Sequence, residues 1–226
     1  MDRLELTQEV AADILARAKE KGASQGDVLM ADSESFFVSV RLGEVEKISQ
    51  AQEKRLGLRL FFGRSSATAS TSDISRESID RLIDNTCTMA RATAKDEFSG
   101  LPTSEELAGS LPDLDLVDPE ARSLSVEKKI QVALEAEKTA LDFDPRISNS
   151  EGAESSSLLN RVVYSNSHGF SGKYRGSVFS LSVIPVGKLN GAMQRDFWYS
   201  TRRKFPQLDS PRAVGEKAAK RVLQRL

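Results

Sequence analysis

The spacing of apolar residues changes period several times along the chain. Leu6, Val10, Ile14 and Ala18 lie four apart and predict an amphipathic helix from about Thr7 to Lys21, with Gly22 as its stop. The period then falls to two. Phe36, Val38, Val40 and Leu42 alternate with Phe37, Ser39 and Arg41, which places four apolar side chains on one face of a strand. Gly43 marks a turn and "EVEKISQ" returns as a second strand. Leu56, Leu58, Leu60 and Phe62 alternate again before Gly63 and the small-residue strand "SATAST". This pattern predicts an antiparallel meander. Ser75 reads as the N-cap of a closing helix, with Ile74 and Ile79 at the hydrophobic-staple positions and Leu82, Ile83, Met89 and Ala90 as its stripe.

The segment Lys95 to Ser123 carries Pro102, Pro112 and Pro119 without clear periodicity and reads as an irregular connection. The order of elements then recurs. A helix from about Val126 to Leu141 bears Ile130 and Leu134, and "RVVYS", "SVFSLSV" and "MQRDFWYS" read as strands. Ser210 and Pro211 suit the N-cap and first position of a last helix with Val214, Ala218 and Val222. Hairpins beside helices predict an α+β class, antiparallel β-meanders flanked by helices. The domain expectation is one domain over 1–226, with sub-halves 1–95 and 124–226 joined by the irregular stretch 96–123. The halves share no sequence period, so a duplicated helix, meander, helix arrangement is a hypothesis resting on element order alone.

With 226 residues, the chain is long enough to bury roughly 70% of the surface its unfolded form exposes. Lys and Arg number 32 against 33 Asp and Glu, and a net charge of -1 provides no global field to hold a polyanion. The single cysteine, Cys87, excludes an internal disulfide framework and suggests a reducing compartment. "MDRLELTQEV" lacks the basic start and apolar core of a secretory leader, and no apolar run approaches a membrane span. The expectation is a cytoplasmic protein with no membrane and no direct nucleic-acid partner.

Little chemistry is legible. His168, the only histidine, sits in "NSHG" between two strands, where Asn, Ser and Gly favour a hairpin turn. "GFSG" does not match the G-x-S-x-G elbow, and no base, orienting carboxylate and oxyanion hole are visible around a serine. Gly169 and Gly172 echo an RNA-clamping G-x-x-G loop, yet here they would join strands rather than helices. One His and one distant Cys cannot build a zinc site. Asp113, Asp115 and Asp118 in "PDLDLVDPE" lack the glycine and terminal glutamate of a calcium loop. Cys87 reads as a small core hydrophobe. "FWYSTRRKF" mixes aromatics with Arg202, Arg203 and Lys204, as a nucleic-acid surface would. Period-two packing, with Phe197 and Tyr199 on one side and Trp198 on the other, explains it more simply. No phosphate-cradling glycine loop is present. Catalytic, cofactor-binding and metal residues are therefore all assigned as none.

Taken in order, "RLGEVEKI", "GLRLFFGRSSATASTSDIS", "PDLDLVDPE", "RISNSEGAESSS", "VVYSNSHGFSGKYRGSVFSLSV" and "MQRDFWYSTRR" span most of residues 40 to 203. Together they resemble the N-terminal half of the TldD/PmbA family, in its PmbA branch, also called TldE. The resemblance implies a non-catalytic subunit of a cytoplasmic zinc peptidase built from TldD and TldE chains, which trims peptide precursors and degrades unfolded small proteins. In that family the catalytic TldD chain carries H-E-x-x-x-H and further ligands in its C-terminal half, where zinc activates water and the glutamate serves as base. No residue here matches that motif, and the expectation is that the family's C-terminal half is absent. The implied partners are a TldD-like subunit that holds the zinc, a peptide or unfolded-protein substrate, and a second copy of the chain when it is alone. Two alternatives remain open: a protein-binding module modulating DNA gyrase, after the family's older name, and the N-terminal half of a catalytic TldD-type subunit.

Overall fold

The computed structural model describes residues 7–226, so the expected place of Leu6 on the first helical stripe lies outside the described residues. The first helix, α1 (Gln8–Glu20), is capped by the Thr7 hydroxyl, which accepts from the Val10 N–H. Three strands follow, β1 (Gln25–Arg41), β2 (Glu44–Phe62) and β3 (Ser65–Thr71), and then α2 (Arg76–Ala92), whose N-cap is Ser75. A long connection contains one 3-10 turn, Ser104–Glu106. The second run is α3 (Val126–Leu141), β4 (Ile147–Asn166), β5 (Ser171–Leu189), β6 (Ala192–Arg195), β7 (Trp198–Arg202) and α4 (Pro211–Arg225). Helix, meander, helix thus appears twice in an α+β fold with an antiparallel sheet of order β3-β2-β1-β4-β5-β6, in which β7 also pairs with β5.

Three details differ from the sequence reading. The strands β1 and β4 begin well before their alternating apolar runs. Leu42, expected on the apolar face, instead occupies the β1–β2 turn at φ 49, beside Gly43 at φ 82, and is exposed. A two-residue hairpin of type I′ has positive φ at both positions, and it takes Leu42 out of the strand. "MQRDFWYS" forms two strands in one continuous register, with Arg195 opposite Val186 and Trp198 opposite Val183. The break falls at Asp196 and Phe197, level with Pro185 and Ile184. Pro185 has no N–H to donate, which interrupts the ladder there.

The chain gathers into two compact units. Unit 1 comprises the described residues up to Ser33, with Gln52–Asp115 and Asn160–Arg175; unit 2 comprises Glu34–Ala51, Leu116–Leu159 and Gly176–Leu226. In unit 1 the core contains Ile14 of α1, Ile79, Leu82 and Ile83 of α2, and Val28, Met30, Leu56, Leu58, Leu60 and Val163 of the sheet. Ile74 and Ile79 are both buried, as a staple around Ser75 requires. Met89 of α2, expected on the apolar stripe, is exposed.

Unit 2 has a core of Phe36, Val38, Val40, Ala153, Leu181 and Val183 under α3 and α4. Its most buried carboxylate, Glu137 on α3, is 1% exposed. It accepts the N–H groups of Leu42 at 3.0 Å and Gly43 at 2.9 Å. Successive amides in left-handed conformation form a nest for an anion, so one side chain fixes the hairpin turn.

Candidate functional site

The "NSHG" stretch is a turn in unit 1, as its composition predicts. Asn166 Oδ1 accepts from the His168 N–H at 3.0 Å and the Phe170 N–H at 3.1 Å, and Gly169 takes φ 94. Ser167 holds the turn against β1. Its N–H donates to the Gly26 carbonyl at 2.9 Å, and its hydroxyl accepts from the Gly26 N–H at 3.0 Å. The approach is close at Gly26, where a Cβ would lie 2.8 Å from Leu60 Cδ2 and 3.2 Å from the Arg59 carbonyl oxygen. His168 Nδ1 lies 2.7 Å from the Pro102 carbonyl. Since that carbonyl only accepts, Nδ1 carries the proton and fastens the connection to the turn.

Next to the turn lies a charged cluster that no motif announces. Asp27 is buried and receives Arg59 through both oxygens, Nε to Oδ1 at 3.0 Å and Nη2 to Oδ2 at 2.6 Å. Tyr164 donates its hydroxyl to the same Oδ2 at 3.0 Å. Burial, reinforced by the Asp27 carboxylate, pushes the Tyr164 phenol above its usual range. The Arg59 guanidinium, held up first by its bonds to Asp27, stacks 5.2 Å from the Phe61 ring. Both carboxylate oxygens are engaged by donors and the phenol's pKa is raised, so the arrangement favours a structural ion pair over a nucleophile or a base. Asp27 lies 32 residues from Arg59 and 137 from Tyr164 in sequence, and only the fold brings them together.

The remaining candidates each have a structural occupation. Cys87 is buried in the unit 1 core, and burial pushes its thiol up, away from the reactive thiolate. Asp113 accepts from the Asp115 N–H, while Asp118 accepts from the N–H groups of Glu120 and Phe205. Phe197, just before β7, and Tyr199 within it are exposed and stack with centroids 6.1 Å apart, and Trp198 faces inward with Lys217 Nζ 3.8 Å above its ring. Arg202 is paired with Asp209. A metallopeptidase centre needs several imidazole, thiolate or carboxylate donors converging on one point. Among the described residues no group of three or more His, Cys, Asp or Glu side chains is placed to hold a metal ion. Nor is any helix among them long and apolar enough to cross a membrane.

Comparison with known proteins bears on the same chain. Residues 26–90 match the family model of PmbA/TldA metallopeptidase domain 1, and residues 119–226 match that of the PmbA/TldA metallopeptidase central domain. The metalloprotease PmbA homolog of Haemophilus influenzae is 36% identical over 206 residues, covering 91% of this chain and 45% of the relative. Metalloprotease PmbA of Escherichia coli O157:H7 is 35% identical over 212 residues, covering 94% and 46%. The chain therefore spans about half the length of the curated relatives it matches. A crystal structure from Bacteroides thetaiotaomicron, described as a candidate modulator of DNA gyrase, superposes with a TM-score of 0.90 at 26% identity, over 99% of this chain and 51% of that one. TldE from Thermococcus kodakarensis shares the fold, with a TM-score of 0.77 at 20% identity over 94% of this chain and 47% of that one.

Proposed function

Because the chain belongs to the PmbA/TldD family, with its relatives in the PmbA branch, we propose that it forms part of a PmbA/TldE-like subunit of a cytoplasmic metal-dependent peptidase. In this reading it supports assembly and substrate access, and a TldD-like partner carries the zinc and the catalytic residues. The substrate is an extended peptide or an unfolded small protein. The observation that carries the reading is identity of about a third over more than nine-tenths of the chain to proteins named as metalloproteases PmbA. The geometry supports the assignment of roles: the carboxylates and cysteine of the candidate sites are engaged in holding turns, caps and cores together.

The test is to co-express the full-length protein with its TldD-like counterpart and to follow co-elution and peptide hydrolysis. Activity in the mixture, absent from either chain alone and lost with chelator, is the expected result. A second reading is a protein-binding module acting on DNA gyrase, favoured by the description of the Bacteroides relative. It predicts capture of gyrase and a change in supercoiling rate with no peptide cleaved.

A further inference from the structure

The end strand formed by β6 and β7 lies wholly in unit 2, with β5 on one side and no strand on the other among the described residues. Side chains alternate across it. Asp196, Trp198 and Ser200 turn inward: Asp196 holds Arg221 and Arg225 of α4, Trp198 packs against the core, and Ser200 is buried. Met193, Phe197 and Tyr199 are left on the opposite face, 63%, 50% and 52% exposed. Phe197 and Tyr199 stack on each other, and Lys188 and Ser182 of β5 stand opposite Met193 and Tyr199. Exposed apolar side chains gathered on one strand and rimmed by polar ones mark a protein contact.

Charge says what kind of partner fits. From Lys188 to Leu226 the chain carries ten Lys and Arg against three Asp and Glu, in a molecule whose net charge is -1. On the end strand itself Arg195 and Arg202 stand towards the two ends, and its sole carboxylate, Asp196, is buried and already holds two arginines. Like charges across a strand pair destabilise it and opposite charges stabilise it, so this edge repels its own copy and attracts an acidic strand. Nucleic acid fits less well. A phosphate backbone binds through cations, and here Arg195, Arg202, Arg221 and Arg225 are paired with Glu151, Asp209 and Asp196. A peptide strand also uses the backbone N–H and C=O groups of the open edge, which nucleic acid cannot match in register. We propose that the β6–β7 edge docks an extended acidic segment of a partner protein, which adds to the sheet as a further strand and lays apolar side chains against Phe197 and Tyr199. Such docking is independent of which reaction the full-length protein serves.

A phage-displayed library of random peptides of about ten residues, the upper length of an ordinary strand, tests the edge. It is selected against the chain and against a double variant, Phe197→Ala with Tyr199→Ala, and circular dichroism confirms that each variant remains folded. Peptides retained by the wild type alone are expected to be acidic, free of proline and apolar at alternate positions. The most enriched peptide, synthesised and followed by fluorescence anisotropy, should bind with a Kd of about 100 µM or below, a range suited to a short strand contact. The double variant should weaken it at least about tenfold, and Arg195→Glu should do the same. Prolines placed at the centre of the peptide should abolish binding by removing backbone donors. Phe98→Ala, which removes a ring 87% exposed in unit 1, should change nothing. No peptide enriched above the double variant, an enriched sequence that is basic or proline-rich, or binding indifferent to Arg195→Glu would each overturn the proposal. Displacement of the peptide at physiological salt by an oligothymidine of about ten nucleotides would overturn it too, in favour of a nucleic-acid surface.

Discussion

The two units bury their helices by different means. In unit 1, α1 and α2 reach the sheet with long aliphatic side chains, Ile14 from one and Ile79, Leu82 and Ile83 from the other, against Leu56, Leu58 and Leu60. In unit 2, α3 and α4 approach each other through small residues, Ala133, Ala136 and Ala140 on one helix and Ala218 and Ala219 on the other. Gly215 lies at the tightest point, where a Cβ would stand 2.5 Å from the Ala136 carbonyl oxygen and 2.8 Å from Thr139 Cβ. The first arrangement depends on volume filled by side chains, the second on volume kept empty of them. Removing side-chain volume should therefore be the damaging change in the first, and adding it the damaging change in the second.

The largest expected effect is in unit 1. Leu58→Ala removes most of a fully buried side chain and should destabilise by about 2–5 kcal/mol in denaturant titration. In unit 2 the informative change adds a methyl group. Gly215→Ala in an exposed helix would gain about 1 kcal/mol, but against the Ala136 backbone it should cost about 1–3 kcal/mol instead. A stabilised Gly215→Ala variant would remove the distinction between the units. Glu137→Ala leaves the Leu42 and Gly43 amides without their acceptor and should cost about 1–3 kcal/mol, with hydrogen exchange rising first at that turn.

The smallest expected effect is confined to acid. Burial of Asp196 works to raise its pKa, but the Phe197 amide, Arg225 and Arg221 outweigh it and hold the carboxyl down to about 2. A carboxyl held below its unfolded value of about 3.9 stabilises the fold fully above that value and loses the contribution as pH falls through the folded pKa. The stability gap between wild type and Asp196→Asn should be constant above about pH 4 and shrink towards about pH 2. A gap unchanged over that window would show that the Arg221 and Arg225 contacts do not depend on the charge.

Much of this contrast was legible in the sequence. Period-two runs marked the end of β1 and the second half of β2, and Ser75 and Ser210 accept the expected cap hydrogen bonds from Ser78 and Ala213. The first half of β4, "ISNSEGAESSS", carried no such signal, because serines occupy its inward positions: Ser150, Ser155 and Ser157 are buried where an apolar residue would have announced a strand. Gly152, at φ 114 with a Cβ position 2.6 Å from the Val40 carbonyl oxygen, lies in the same stretch. At the candidate site the turn at His168 could be read from four adjacent residues. The Asp27, Arg59 and Tyr164 cluster could not, since a polar residue at an outward strand position is ordinary and only pairing across the sheet makes these three meet. Family resemblance, carried by several weak motifs in fixed order, supplied the functional frame that no single residue provides.

The central claim, a PmbA/TldE-like subunit whose partner carries the catalytic metal, is tested most directly by reconstitution. The full-length protein and its TldD-like counterpart would be purified separately, assayed singly and mixed against an unfolded polypeptide, and the metal content of each measured. Peptide cleavage that appears only in the mixture, with the metal residing in the TldD-like chain, is the predicted result. Cleavage by the full-length protein alone, with a stoichiometric metal bound to it, would contradict the account.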